Sequence, residues 1–271
     1  MSGAFARIVI ALALVLAACK FELPTGESPP DSSGGSATDG PQSRRCTSLG
    51  NVAASDLRLC LELEDASPMA VARDGSGLGH DARANLIGAT VRGGEQAGTF
   101  VAGSHLTIDP TPDLDISPHV TIDLFAAVQL PIASGARYWM LDHGDHYFVS
   151  YGDNHEVRCG INHDQQVDSG SSGRIEDALF HHIACTYDNN ELRVYIDGDV
   201  ADCQTPGVTI DAAPKLTEIG HQSESPASSE QFLGALDNIH VFARVLAPAE
   251  ICALAGRGSG CRPDCPGQRN E

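Results

Sequence analysis

The stretch FHHIACTYDNNELRVYIDG, residues 180–198, decides the fold class of this chain. It holds two runs, HHIACTY and ELRVYIDG, that are rich in the β-branched and aromatic side chains typical of strands. The sequence DNN at 188–190 separates the runs and DG follows at 197–198, and both favour tight hairpin turns. The stretch therefore predicts consecutive antiparallel strands.

The same two-residue period runs through much of the chain. Leu57, Leu59, Leu61 and Leu63 alternate with Arg58, Cys60, Glu62 and Glu64, which predicts a strand with one buried face. Similar runs are VTIDLFAAVQL (120–130), YWMLD (138–142), HYFVSY (146–151), EVRCGIN (156–162), LTEIG (216–220) and ALDNIHVFARVL (235–246). Because helical segments do not alternate with these runs, they predict an all-β antiparallel sandwich or barrel.

One short helix is expected at the C-terminal end of this region. In LAPAEICALAG (246–256), Pro248 suits an early helical position and Gly256 suits the position past the end.

The N-terminus has the pattern of an export signal. Arg7 precedes an apolar run, residues 8–18, that is shorter than the about 20 residues a transmembrane helix needs. The sequence LAAC at 16–19 resembles the bacterial lipobox, which implies that Cys19 is acylated and becomes the first mature residue. An ordinary secretory signal is the alternative. We therefore expect a lipid-anchored protein of the cell envelope, and the lack of aspartate at Lys20 favours the outer membrane.

Composition divides the chain into four segments. Residues 1–18 are the expected lipoprotein signal peptide, and residues 19–45, rich in Pro, Gly, Ser and Asp, are an expected disordered tether. Residues 46–255 have a globular composition and suit one β domain, and residues 256–271 form a tail that contains cysteine.

The charge of the chain excludes one class of partner. The sequence has 17 basic and 36 acidic residues, a net charge of −19, and removal of residues 1–18 takes away only Arg7. Such a surface repels nucleic acid and anionic headgroups, so no nucleic-acid partner is expected. It suits divalent cations, although charge that is spread along the chain is better explained by solubility.

Cysteine usage predicts a disulfide framework. Eight cysteines remain after Cys19, and an even number in an exported chain implies oxidised pairs. Cys159 and Cys185 both fall on apolar strand faces, so we predict that they pair inside the core. Cys60 lies opposite the leucines of its strand, so its partner is either Cys46 or a cysteine near the C-terminus.

Two segments resemble the signatures of laminin G-like, concanavalin A-like domains. Residues 180–188 and 192–198 resemble the central hairpin of that family, usually WHHVAxTYDG and LRLYVDG, and residues 234–246 resemble its closing strand, usually GxIDDVRIYxRAL. Weaker matches are residues 59–65 with 74–80, for the opening strand and its glycine-rich loop, and residues 104–108. The resemblance implies a two-sheet jelly roll.

The resemblance leaves several functions open, because this fold supports lectins, glycanases, adhesion modules and spacers. The glycanases carry Glu-x-Asp-x-Glu on one strand, and the nearest pattern in this chain is Glu62-Leu63-Glu64. We therefore expect a non-catalytic module that recognises a glycan or a cell-surface protein through loops at the rim of the sandwich. The alternatives are a structural envelope lipoprotein without a ligand and a relative of the glycoside hydrolases.

The resemblance also implies a structural calcium ion. In the family the opening and closing strands are neighbours, which would bring the loop 73–80 with Asp74 close to Asp237. Two carboxylates, backbone carbonyls and water can complete the six to eight oxygens that calcium needs. This chain has Asn238 where a second aspartate is usual. The alternative is that Asp74 orders its own turn and Asp237 accepts hydrogen bonds from that loop.

Other candidate residues have simpler interpretations. The stretch DHGDH (142–146) looks like a metal cluster, but a solvated turn is the expected structure because neighbouring strand residues point to opposite faces. His181 and His182 match residues common in the family and are interpreted as structural. Trp139 is interpreted as a core residue. The candidate exposed platforms for a sugar are Tyr147, Tyr151 and Tyr195.

Overall fold

A computed structural model describes residues 46–144, 146–162, 174–211, 213–222 and 230–267. The predicted signal peptide, Cys19 and the predicted tether lie outside the described residues, so these remain predictions. Among the described residues, none of the helices has both the length and the apolar character needed to cross a bilayer.

The described chain folds as antiparallel strands with one terminal helix, as the sequence predicts. The elements are β1 (Leu57–Leu61), β2 (Met69–Ala72), β3 (Ala82–Arg92), β4 (Glu95–Phe100), β5 (His105–Ile108), β6 (Val120–Val128), β7 (Arg137–His143), β8 (Tyr147–Gly152), β9 (Val157–Ile161), β10 (His181–Tyr187), β11 (Leu192–Ile196), β12 (Asp199–Gln204), β13 (Thr217–Ile219), β14 (Gly234–Phe242) and α1 (Pro248–Leu254).

The strands form two sheets that share β3. Sheet A has the order β12-β11-β10-β6-β14-β4, with β1 also paired to β14. Sheet B has the order β5-β13-β7-β8-β9. The first half of β3 pairs with β5 and with β2, and its second half pairs with β4. Leu86 lies between the two halves with a φ of 54°, so the chain turns there from one sheet into the other.

The hairpin predicted from residues 180–198 is β10 and β11, paired from Ile183 with Ile196 to Tyr187 with Leu192. The carboxylate of Asp188 accepts hydrogen bonds from the backbone N–H groups of Asn190 and Glu191, at 2.9 and 2.6 Å. This side chain therefore closes the turn, as expected of aspartate in a tight connection.

The main core lies between the sheets. Alternate residues of β10, Ile183, Cys185 and Tyr187, point into it, so His182 and Ala184 point to the other side of sheet A. On that other side a second apolar cluster forms where α1 and the segment from Leu49 to Leu57 cover the sheet.

Aromatic residues are more buried than the sequence indicates. Trp139 is buried as expected, but on the face opposite Tyr138 and Met140. The expectation of exposed platforms at Tyr147, Tyr151 and Tyr195 is wrong, because all three are fully buried. Tyr147 and Tyr151 lie on the inner face of β8, between β7 and β9, and Tyr195 packs in the second cluster.

Four disulfides connect the strands and the tail. The predicted pair Cys159 and Cys185 is bonded, with 5.9 Å between Cα atoms, and it ties β9 of sheet B to β10 of sheet A. Of the two alternatives for Cys60, the structure has Cys46. The tail is held by two further bridges, Cys203–Cys265 and Cys252–Cys261.

Helix α1 begins at Pro248, as predicted, and Gly256 follows it with a φ of 75°. The carboxylate of Glu250 accepts a hydrogen bond from the backbone N–H of Ala247, at 2.9 Å, and is also bound by Arg244. The first turn is therefore capped by a side chain from within the helix.

Candidate functional site

The outer face of sheet A, the face directed away from the main core, carries a cluster of charged, ionisable and aromatic side chains. Ala127 and Phe125 of β6 pair with Ala235 and Asp237 of β14 on this face. A bulge between Asp237 and His240 then inserts one extra residue, so both side chains fall on the outer side while Leu236 and Ile239 stay in the core.

At the centre of this face lies a buried polar network around Asp123. His182 donates a hydrogen bond from Nε2 to one carboxylate oxygen, and His240 Nδ1 donates to the other at 2.7 Å. All three side chains are fully buried. Burial alone would raise the pKa of Asp123, but the charges and hydrogen bonds of His182 and His240 outweigh it and lower the pKa to about 2.

The network continues to the segment that precedes β1. Ser48 Oγ lies 2.8 Å from His240 Nε2, so Ser48, His240 and Asp123 have the connectivity of a serine-hydrolase triad. However, the backbone N–H groups of Thr47 and Ser48 both donate to Glu62 Oε1, at 2.5 and 2.8 Å. The amides next to the hydroxyl are therefore already used, and the network fastens this segment to sheet A.

Beside the network lies a cluster of the partly exposed Arg92 and Phe125 with the fully buried Asp237. The guanidinium carbon of Arg92 lies 3.9 Å from the centroid of the half-buried Phe125 ring. Arg92 Nε donates to Asp237 Oδ2 at 2.5 Å. Burial raises the pKa of Asp237 to about 6, although the hydrogen bond and charge of Arg92 act to lower it.

An open groove of about 330 Å³ adjoins this cluster. Thr90, Ala127 and Ala235, which line it, each lie two residues from a member of the cluster on the same strand, so they share its face. The exposed Leu179 and the neighbouring Phe180 form another wall. The face therefore combines a partly exposed aromatic ring and cation with an apolar wall, and the buried Asp237 binds the cation.

In the structure, Asp74 has its hydrogen-bond partners within its own turn and in the adjoining strand β1. Asp74 Oδ1 accepts from the backbone N–H groups of Cys60 and Ser76, and Oδ2 accepts from Ser76 Oγ and the backbone N–H of His80, at 2.6–3.0 Å. These four bonds use the lone pairs of the carboxylate, so Asp74 orders its turn as the alternative held.

Asp237 has different partners from those expected. It is bound by Arg92 and by the backbone N–H of Asn238, not by the loop 73–80. The two aspartates therefore have separate hydrogen-bond partners, and calcium binding by this chain stays an untested prediction.

The stretch 142–146 also differs from expectation. Asp142, His143 and His146 are buried, so the expected solvated turn is wrong for these residues; Asp145 lies outside the described residues. His143 and His146 approach Asp115, a residue that the sequence pattern did not indicate.

The described strands place this protein in the class of antiparallel jelly rolls with two sheets. The family model described as "Concanavalin A-like lectin/glucanases superfamily", Laminin_G_3, matches residues 102–252, more than half of the chain. The chain belongs to that family, and the predicted laminin G-like, concanavalin A-like fold is confirmed. No curated protein matches the chain.

Solved structures share this fold at low sequence identity. The binding domain of Paraclostridial Mosquitocidal Protein 1 is 15% identical with a TM-score of 0.59, over 74% of this chain and 52% of that one. Domain 4 of AbnA, a GH43 extracellular arabinanase from Geobacillus stearothermophilus in complex with arabinotriose, is 16% identical with a TM-score of 0.57, over 74% and 98%. Trypanosoma rangeli sialidase in complex with sialic acid is 17% identical with a TM-score of 0.54, over 74% and 32%.

The chain thus spans about half of the mosquitocidal binding domain and about a third of the sialidase. These likenesses show the fold.

Proposed function

We propose that this protein is a non-catalytic, envelope-anchored module that binds a glycan on the outer face of sheet A. The observation that carries the proposal is the cluster of Arg92, Phe125 and Asp237 beside an open groove. A sugar offers C–H groups to an aromatic or apolar surface and hydroxyls to a cation, and ligand sites combine these elements. We therefore propose the outer face of sheet A as the binding surface, in place of the rim loops expected from the sequence.

The comparisons support this class of ligand. The structure of AbnA domain 4, which this chain spans almost completely, is a complex with arabinotriose, and a second relative of the fold is a complex with sialic acid. We therefore take oligosaccharides as the ligand class, in preference to a cell-surface protein.

The carboxylates of this face favour binding over hydrolysis. Retaining glycosidases need two carboxyl groups about 5 Å apart, one free to attack and one to donate a proton. On the outer face Asp123 is held by two histidines and Asp237 by Arg92. Glu62 of the Glu62-Leu63-Glu64 pattern is bound to backbone N–H groups.

Replacement of Phe125 by alanine is expected to weaken glycan binding about tenfold, because an aromatic contact contributes about 1.5 kcal/mol. A glycan array on the purified chain selects the ligand, with arabino- and sialo-oligosaccharides included, and calorimetry measures its affinity. Leu78→Ala is the matched control, since Leu78 is an exposed apolar residue in the loop 73–80 that does not line the groove.

Equal affinities of wild type and Phe125→Ala would place the ligand elsewhere. An array without any bound glycan would favour the alternative of a structural envelope lipoprotein.

We also propose that Cys19 anchors the protein to the outer membrane. Several acyl chains on one cysteine hold a protein on a bilayer, since each buried CH₂ contributes about 0.8 kcal/mol. Cys19→Ala is therefore expected to move the protein from the membrane fraction to the soluble fraction and to abolish its labelling with fatty acid. Lys20→Ala, which leaves the acylated residue in place, is the control. Membrane retention of Cys19→Ala equal to that of wild type contradicts the anchor, and density-gradient separation tests the choice of membrane.

A further inference from the structure

Three metal-ligating side chains converge at one end of sheet B. Asp115, His143 and His146 each offer one ligand atom, and these three atoms lie within 4.8 Å of one another. His143 ends β7, His146 lies in the turn before β8, and Asp115 belongs to the loop between β5 and β6. The site therefore joins a hairpin of the sheet to a separate loop.

Neighbouring groups position two of these residues, His143 and Asp115. His143 Nδ1 is hydrogen-bonded to Thr217 Oγ1 at 2.8 Å, which leaves Nε2 to face Asp115 and His146. The ring of Tyr147 stacks on His143 at 4.7 Å, and the hydroxyl of Tyr147 donates to the carbonyl of Leu114 at 2.7 Å. Tyr147 thus fixes the loop residue next to Asp115 relative to the ring of His143.

Two of the ligand atoms are buried without a hydrogen-bond partner in the described part of the chain, His143 Nε2 and Asp115 Oδ1. Buried polar atoms of this kind cost free energy, and an ion or a water molecule between them removes the cost. His146 Nδ1 lies 3.8 Å from the same oxygen of Asp115. Two imidazole nitrogens and a carboxylate oxygen therefore converge on one point, and this donor set suits a cation.

We propose that Asp115 Oδ1, His143 Nε2 and His146 Nδ1 bind one divalent transition metal ion of the zinc type. Two imidazoles and a carboxylate favour zinc over calcium or magnesium, which prefer oxygen ligands. With bonds of about 2.1 Å, tetrahedral ligand atoms lie about 3.4 Å apart, so the three side chains need only a small closure. Water completes the set, and the ion ties the loop after β5 to the β7–β8 turn.

One charge nearby opposes the ion. The side chain of Lys215 packs over Gly144 and its ammonium acts on His143. Lys215→Met removes that charge, so it is expected to tighten zinc binding severalfold.

The test uses the full chain without a histidine tag, stripped with EDTA and dialysed, then titrated with zinc against a chromophoric chelator. One zinc per chain is expected. Asp115→Asn and His146→Gln, whose side chains are partly accessible at 14% and 9%, should each weaken binding more than tenfold. Thr217→Val, which acts only through His143, should weaken it about 10- to 100-fold. His119→Gln, an exposed histidine outside the cluster, is the control and should bind zinc like wild type.

Folding is followed at the same time, because a bound ion stabilises the native state. Zinc should raise the unfolding midpoint of wild type and His119→Gln and leave those of Asp115→Asn and His146→Gln unchanged. The tetrahedral visible spectrum of Co²⁺ should appear in wild type and be lost in both ligand variants. Equal zinc affinity in wild type and the ligand variants would overturn the site and assign a water molecule to the buried atoms. Stabilisation by calcium and not by zinc would also overturn it.

Discussion

The variant Asp123→Ala is expected to lower the free energy of unfolding by about 3–5 kcal/mol at pH 7, because it removes the shared acceptor of two buried histidines. His182 and His240 both donate to this carboxylate, and all three side chains are fully buried. Without Asp123, both imidazoles keep N–H groups that water cannot reach. Urea denaturation followed by fluorescence and circular dichroism, with the disulfides intact, measures the loss.

The matched control is Asp109→Ala, which removes a carboxylate from an exposed pair with Arg83 and should leave the urea midpoint unchanged. Unfolding of Asp123→Ala at the midpoint of wild type would contradict the structural role of the network.

The pH dependence gives this prediction a second readout. The pKa of Asp123 is lowered from 3.8 to about 2 in the folded state, so its ionised form stabilises the fold. This contribution, about 2 kcal/mol, is present above the unfolded pKa and is lost as the pH falls from about 4 to about 2. The stability of wild type should therefore fall more steeply over this range than that of Asp123→Ala.

Local patterns were sufficient to predict the strands and the hairpin. In residues 180–198, alternation predicts the two strands and the short polar connection predicts the turn between them. Both features depend only on local sequence, and the structure contains this hairpin. The parity of strand positions also placed Cys159 and Cys185 on inner faces, where the structure bonds them.

The polar network could not be predicted in the same way. Asp123 lies 59 residues from His182 and 117 from His240, and Ser48 lies 192 residues from His240. Alternation indicates that Asp123 and His182 face outward, but it does not give the strand order β10-β6-β14 that makes them neighbours of His240. The bulge after Asp237 is a further local departure that changes the face of His240.

Errors at single residues have a common physical cause. Alternation assigns each strand residue to one of two faces but does not say whether a face is covered. Tyr147 was expected at the surface, yet it lies on the covered side of β8. His143 was expected in a solvated turn, yet it is buried beside Tyr147 and Thr217.

Removal of the Cys159–Cys185 bridge is expected to lower the free energy of unfolding by about 3.5 kcal/mol. The bridge closes a loop of 26 residues, and chain-entropy loss in the unfolded state gives this value. Its position adds to the effect, because it joins sheet A to sheet B through the main core and both cysteines are buried. Thermal and urea unfolding of the double variant Cys159→Ala/Cys185→Ala measure the loss.

The comparison bridge is Cys252–Cys261, which closes a loop of only 9 residues between α1 and the tail. The same entropy relation gives about 2.6 kcal/mol for its removal. The double variant Cys252→Ala/Cys261→Ala should therefore unfold at a higher urea concentration than the core variant, since it leaves the two sheets joined. A larger loss of unfolding free energy for the tail bridge than for the core bridge would contradict this prediction. Apolar packing and the shared strand β3 would then hold the two sheets together without help from the disulfide.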